Sequence, residues 1–276
     1  MKMGNLVRLC VSILFAGIYQ QALAANFSVT CPGPQEPDFG CWIDMRGPIV
    51  EGDAKKLLQI VALRPKSSDV YKWLVLDSPG GDVREALNLA RVVRDVMLET
   101  NNYSLAPQVE DWGRNEYRCA SSCVIVLMAG GERSFRITKG GVGLHRPYLS
   151  GGYSDNTAAS KVAEMQNQAM RVVRDFLTNE RVPQRLIEEM MNRSSRDIYW
   201  ITMQDLFEIP STSAWLEEIL IARCGYDPSI HERSSRAVLA NNQAAIDSSI
   251  DEYRRIGQCK RALIVKAQEN FRARPR

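Results

Sequence analysis

Apolar positions along this chain recur at two spacings, and the alternation between them lays out the elements. Trp73-Leu74-Val75-Leu76 is a continuous apolar run of strand length, the pattern of a strand buried on both faces. It ends in Asp77-Ser78-Pro79-Gly80-Gly81, a strong turn signal. From Asp82 to Leu98 the spacing becomes helical, through Val83, Ala86, Leu87, Ala90, Val93 and Met97. Upstream, Cys41 to Met45 predicts a short strand, and Glu51 to Leu63 a helix through Ala54, Leu57, Leu58 and Val61. The strand–turn–helix pattern then repeats. Tyr103 to Val109 predicts the next strand, and Cys119-Ala120-Ser121-Ser122 leads into an apolar run, Cys123 to Met128, long enough for a buried helix. Phe135-Arg136-Ile137 and Val142-Gly143-Leu144 are short strand pieces. Such alternation predicts an α/β fold with a mainly parallel sheet.

After Pro147 the pattern is helical. Ala158 to Glu180 and Pro183 to Asn192 are amphipathic stretches, separated from later helices by a short β-prone piece, Asp197 to Ile201. Thr202 is placed to cap a further helical turn. From residue 211 to 276 the chain is helical and more polar, and is expected to form an accessory region. Residues 25–40 are rich in Pro and Gly and predict an irregular lead-in to a main α/β domain over 41–210.

The first 24 residues have a different character. Lys2 and Arg8 precede a short apolar core from Leu9 to Ile18, and Ala22-Leu23-Ala24 has the small-x-small form of a cleavage site. Residues 1–24 are therefore expected to be a secretory signal peptide, with no membrane span in the mature chain. The expected location is outside the cytoplasm: the periplasm in a Gram-negative bacterium, otherwise secreted. A net charge of +3 and the lack of a basic stripe interleaved with aromatics argue against nucleic acid as a partner.

Six of the seven cysteines, Cys31, Cys41, Cys119, Cys123, Cys224 and Cys259, lie beyond that segment. An even number in an exported chain points to disulfides, and proximity in sequence favours pairing them in that order. For Cys119 and Cys123, a spacing of four residues on one helix would be marginal for disulfide geometry. With no Cys-x2-Cys pair and only two histidines, His145 and His231, neither a metal nor any other cofactor is expected.

The serine turn is the centre of the candidate chemistry. A serine before a buried helix is most often a simple N-cap. A hydroxyl there also meets unpaired backbone N–H groups that favour developing negative charge, as an acyl-transfer nucleophile requires. The Gly80-Gly81 turn fits neither standard phosphate-binding motif, so it is either a tight turn or the source of an oxyanion-binding N–H. His145 ends a Gly-rich strand, whereas His231 lies in a polar stretch that suits the surface. Asp155, Asp175, Asp197 and Asp205 all follow His145 as candidate orienting acids, and Asp197 opens the β-prone piece.

Taken together, Leu76-Asp77-Ser78-Pro79-Gly80-Gly81, Ala120-Ser121-Ser122, Ala129-Gly130 and His145-Arg146-Pro147 resemble the Clp protease proteolytic subunit. That family shows an Asn-Ser-Pro-Gly-Gly turn, an Ala-Ser-Met turn with Ala-Gly downstream, and a His-Gln-Pro. Ser195-Arg196-Asp197-Ile198-Tyr199-Trp200-Ile201-Thr202 is similar to its Glu-Arg-Asp-Arg-Phe-Leu-Ser segment. The resemblance covers roughly Cys41 to Ile209 and implies the ClpP/crotonase spiral of ββα units, here with an added helical C-terminal region. It implies Ser121 as nucleophile, His145 as base and Asp197 as orienting acid, with the N–H groups of Gly81 and Ser122 as the oxyanion hole. The expected activity is that of an exported serine peptidase acting on peptides or unfolded protein.

Three departures from the family bear on that expectation. Cys119 and Cys123 bracket the serine turn, Arg146 replaces Gln, and the segment between Met97 and Tyr117 is longer. Export removes the chain from cytosolic ATP, so no ATPase partner is expected, while a homo-oligomer is. Two other readings stay open: a Ser–Lys enzyme using Lys139 or Lys161, and a binding or scaffold protein on the same fold. Ser122 also remains a candidate nucleophile.

Overall fold

The computed structural model describes residues 24–31, 40–63, 65, 70–103, 117–136, 141–148, 158–194 and 196–274. The signal-peptide expectation for 1–24 therefore falls almost wholly outside the described residues. Within them the main sheet has five strands in the order β1 (Asn26–Thr30), β2 (Cys41–Arg46), β3 (Tyr71–Asp77), β4 (Glu99–Asn101) and β6 (Arg133–Ser134). β1 is antiparallel to β2, and every other neighbouring pair is parallel. The parallel steps are crossed by helices α1 (Asp53–Ala62), between β2 and β3, and α2 (Val83–Asp95), between β3 and β4. This is the α/β class that the alternating pattern predicts.

β5 (Cys119–Ala120), β7 (Val142–Leu144) and β8 (Tyr199–Trp200) form a second, smaller sheet in the order β5-β7-β8. A parallel bridge between Ser78 and Cys119 joins the C-terminal end of β3 to it. Between the sheets lies α3 (Cys123–Met128), all six of whose residues are buried. Its apolar run packs with Leu74 and Leu76 of β3 and Leu89, Ala90 and Val93 of α2 in one core. Burying a side chain such as Leu or Val contributes roughly 1.5–3 kcal/mol, so this short helix is held by its surroundings more than by its own hydrogen bonds.

Two elements differ from the sequence pattern. Residues 26–30, expected to be irregular, form β1, because the Cys31–Cys41 disulfide turns them back along β2. A strand that the pattern did not predict forms at Glu99–Asn101, while 104–109 of the strand expected at Tyr103 to Val109 lie outside the described residues. Glu99, Thr100 and Asn101 carry no apolar signal, yet all three are buried. Tertiary partners satisfy them: Thr100 Oγ1 donates to the Leu127 carbonyl at 2.6 Å, and Lys260 reaches the Glu99 carboxylate at 2.9 Å. Residues 133–134 pair where Phe135 to Ile137 was expected to, and Ile137 is not among the described residues.

Beyond these come α4 (Ala159–Asn179), α5 (Gln184–Asn192), α6 (Met203–Glu208), α7 (Ala214–Cys224), α8 (Ile230–Leu239) and α9 (Gln243–Arg272). The C-terminal helices pack onto the sheet. The Gln268 side chain of α9 accepts from the Tyr71 N–H at 3.1 Å and donates to the Tyr71 and Val96 carbonyls at 2.7 and 3.2 Å. The Cys224–Cys259 disulfide ties α7 to α9. Among the described residues no helix is long and apolar enough to cross a membrane.

Candidate active site

The turn after β3 is shaped by what lies against it. The Gly80 carbonyl accepts from the Ile49 N–H at 2.9 Å, and the Asp82 N–H donates to the Ile49 carbonyl at 2.9 Å. That parallel bridge turns Gly81's own N–H and carbonyl away from Ile49. Gly81 has φ +150°, and a Cβ there would come within 2.1 Å of the Ile49 oxygen. Gly80 has φ +93°, and a Cβ there would meet the Ser121 Cβ at 2.5 Å and its Oγ at 3.0 Å. The two glycines thus let the β3 turn press directly against the serine.

Ser121 is held from the other side by its N–H, which donates to the Gly143 carbonyl of β7 at 2.9 Å. Its φ is +58°, an uncommon left-handed conformation for a residue other than glycine. This bend separates β5 from α3 and explains why Cys119 and Cys123 can bond. Cys119 belongs to the strand and not to the helix, and the two Cα atoms lie 5.3 Å apart. All three expected disulfides are present: Cys31–Cys41, Cys119–Cys123 and Cys224–Cys259.

The two serines differ. Ser122 is buried, and its Oγ donates to the Gly81 carbonyl at 3.1 Å. Ser121 is partly exposed, and among the described residues its Oγ has no hydrogen-bond partner. Neither side chain caps α3, so the simple N-cap reading does not hold here. Among the described residues the N–H groups of Gly81 and Ser122 also lack acceptors.

His145 follows β7 directly and is buried, at 5% exposure. Ala120 of β5 pairs with Gly143 of β7, so Ser121 and His145 follow the same ends of two adjacent parallel strands. Among the described residues no hydrogen bond joins the two side chains. The ring's Nδ1 lies 3.0 Å from the Arg146 carbonyl oxygen, and Tyr148 sits 5.9 Å away, ring centre to ring centre.

Among the described residues no hydrogen bond joins His145 to Asp197, the expected orienting acid. Its carboxylate takes a hydrogen bond from Arg193 Nη1 at 2.9 Å, and its side chain is 60% exposed. The guanidinium four residues away in this solvated turn is its ion-pair partner. The other candidate acids are also accounted for. Asp205 caps α6, accepting from the Thr202 N–H at 2.7 Å and the Tyr199 hydroxyl at 2.9 Å, with Arg185 alongside. Asp175 is exposed on α4, and Asp155 is not among the described residues. Of the candidate lysines, Lys161 is exposed and Lys139 lies outside the described residues. His231 is bound by the Tyr226 and Tyr253 hydroxyls at 3.0 and 2.9 Å, away from the serine turn.

Arg133 carries no signal in the sequence, following a Gly-Gly-Glu turn as an ordinary loop cation would. It is fully buried, and its guanidinium donates to the carbonyls of Met128, Pro210 and Glu180 at 2.9, 2.7 and 2.7 Å. Burial pulls its pKa down to about 10, against the opposing pull of Glu180. It thereby closes the C-terminal end of the serine helix.

No family model matches the chain, and no curated protein does. Among solved structures, a mutant of the 1510-N membrane-bound stomatin-specific protease is similar over 66% of this chain and 83% of that one, at 14% identity and a TM-score of 0.40.

Proposed function

We propose that this chain is an exported serine hydrolase of the ClpP/crotonase type, cleaving peptides or unfolded protein through an acyl-enzyme. One observation carries the reading: on a left-handed turn packed against Gly80, the Ser121 Oγ and the N–H groups of Gly81 and Ser122 all lack hydrogen-bond partners among the described residues. In the reaction, Ser121 Oγ attacks the substrate carbonyl carbon while His145 Nε2 takes its proton. The N–H groups of Gly81 and Ser122 then meet the oxyanion. Collapse expels the amine, which leaves with the proton from His145, and water repeats the sequence to release the acid. The strand end bearing His145 supports its role as base, and three disulfides support an oxidising compartment. Peptide as the substrate class and a homo-oligomeric assembly rest on the motif resemblance, and the expectation of no ATPase partner rests on export.

The test is covalent labelling of the oxidised protein with a fluorophosphonate. Labelling that Ser121→Ala and His145→Ala abolish, and Lys161→Ala and Lys139→Ala spare, supports the site. Labelling that survives Ser121→Ala removes it, and an inert wild-type protein favours a binding role for the fold.

A further inference from the structure

We infer that the backbone carbonyl of Arg146 positions His145, and that Arg193 holds Asp197 out of that role. The inference rests on the Ser121–His145 reading above and sharpens it. The Arg146 oxygen lies 3.0 Å from His145 Nδ1. A carbonyl can only accept, so a neutral ring in this position carries its proton on Nδ1 and leaves the Nε2 lone pair free. That is the tautomer a general base for serine needs, reached without a carboxylate.

The orienting peptide is itself anchored on both sides. The Arg146 N–H donates to the Arg193 carbonyl at 3.1 Å, and the Gln166 side chain of α4 donates to the Pro147 carbonyl. The carbonyl that sets the ring is therefore fixed by two contacts from other elements, and Pro147 limits rotation of the chain after it. Arg193 links this peptide to the acid. While its carbonyl receives Arg146, its guanidinium is held between Glu189, at 3.2 Å, and Asp197, at 2.9 Å.

The two arrangements predict different costs. In a serine–histidine–aspartate triad, replacing the acid by its amide costs about 10⁴-fold in kcat, because the imidazole is left in the wrong tautomer. A carbonyl already fixes the tautomer here, so the carboxylate of Asp197 has little left to supply.

Two measurements on the full oxidised chain test this. The first is the fluorophosphonate labelling rate. Asp197→Asn and Arg193→Gln should each stay within about tenfold of wild type, and a larger loss in Asp197→Asn overturns the inference. The second reads the ring ¹⁵N signals of His145 by NMR, with His145→Gln to assign them against His231. An Nδ1-protonated ring whose signals are unchanged in Asp197→Asn supports the carbonyl. An Nε2-protonated ring, or signals that move in that variant, overturns it. The NMR signals do not require activity. An inert wild-type protein would thus defeat the hydrolase reading while leaving the positioning of His145 to be decided by them.

Discussion

The segment that carries Ser121 and the segment that carries Asp197 are held by different physics. Around Ser121, Cys119 and Cys123 are both fully buried and covalently joined, and Gly80 lets the neighbouring turn come into direct contact. Around Asp197, the chain is held by Arg193, whose ion pairs to Glu189 and Asp197 are all between half-exposed or more exposed side chains. Exposed ion pairs contribute only about 0–1 kcal/mol and are screened by salt. Catalytic groups are most effective when the fold has fixed their geometry beforehand. The serine turn and the His145 peptide meet that condition, and the Asp197 turn does not.

The sharpest way to break the rigid side is Gly81→Ala. The added Cβ would collide with the Ile49 carbonyl, at 2.1 Å, in a backbone conformation that L residues rarely adopt. We expect a loss of about 3 kcal/mol or more in urea unfolding, and labelling of Ser121 reduced by about 10²-fold or more in what still folds. Arg133→Met acts at the other end of the serine helix. It frees the Met128 carbonyl and leaves the Glu180 carboxylate, 2% exposed, without the buried one of its two cations. Removing one partner of a buried pair costs about 3–5 kcal/mol, so the urea midpoint should fall steeply.

The double variant Cys119→Ala/Cys123→Ala opens a loop with a sequence separation of 4. Its entropic contribution is about 2 kcal/mol, against about 4 for the longer Cys224–Cys259 loop. If the bridge holds Ser121 in its left-handed turn, labelling should fall more than this modest stability change explains, while opening Cys224–Cys259 should leave the labelling rate of the folded protein nearly unchanged.

A pH effect sharpens the comparison on the opposite side. Burial pushes the Asp205 carboxyl upward, but hydrogen bonds from Thr202, Arg185 and Tyr199 outweigh it and hold the group below its ordinary value of 3.8. The unfolded chain then takes up a proton more readily than the folded one. The contribution of Asp205 is present above about pH 4 and is lost as the pH falls below that. In urea titrations, Asp205→Asn should flatten this part of the acid-side loss of stability. The smallest effect belongs to the Asp197 turn. Arg193→Gln should leave the urea midpoint nearly unchanged, with a smaller difference still in high salt.

Much of the site was legible because its parts are local. The Gly80-Gly81 turn follows from an apolar run that ends in Pro-Gly-Gly, and α2 from its apolar spacing behind the Asp82 cap, which accepts from the Glu85 N–H at 2.8 Å. The three disulfides join cysteines that are neighbours in the list of six, so proximity alone paired them. Which serine is free was not legible locally. It depends on the Gly81 carbonyl, 41 residues away, taking the Ser122 hydroxyl. The role of Arg133 depends likewise on three carbonyls, one of them 77 residues away.

The sequence by itself determined the class of the fold, the strand–turn–helix run through β2, β3 and α2, the disulfide partners, and the Gly80-Gly81 and Ser121-Ser122 turns. Those follow from periodicity, turn chemistry and short covalent reach, which act between residues near each other in the chain. Only the tertiary structure decided that a polar triplet, Glu99 to Asn101, is a buried strand, that residues 26–30 pair with β2, and that the C-terminal helix seats Gln268 on Tyr71. It also decided that the Asp197 carboxylate pairs with Arg193. Each of those outcomes turns on which distant partner satisfies a polar group, and that choice is made when the chain closes on itself.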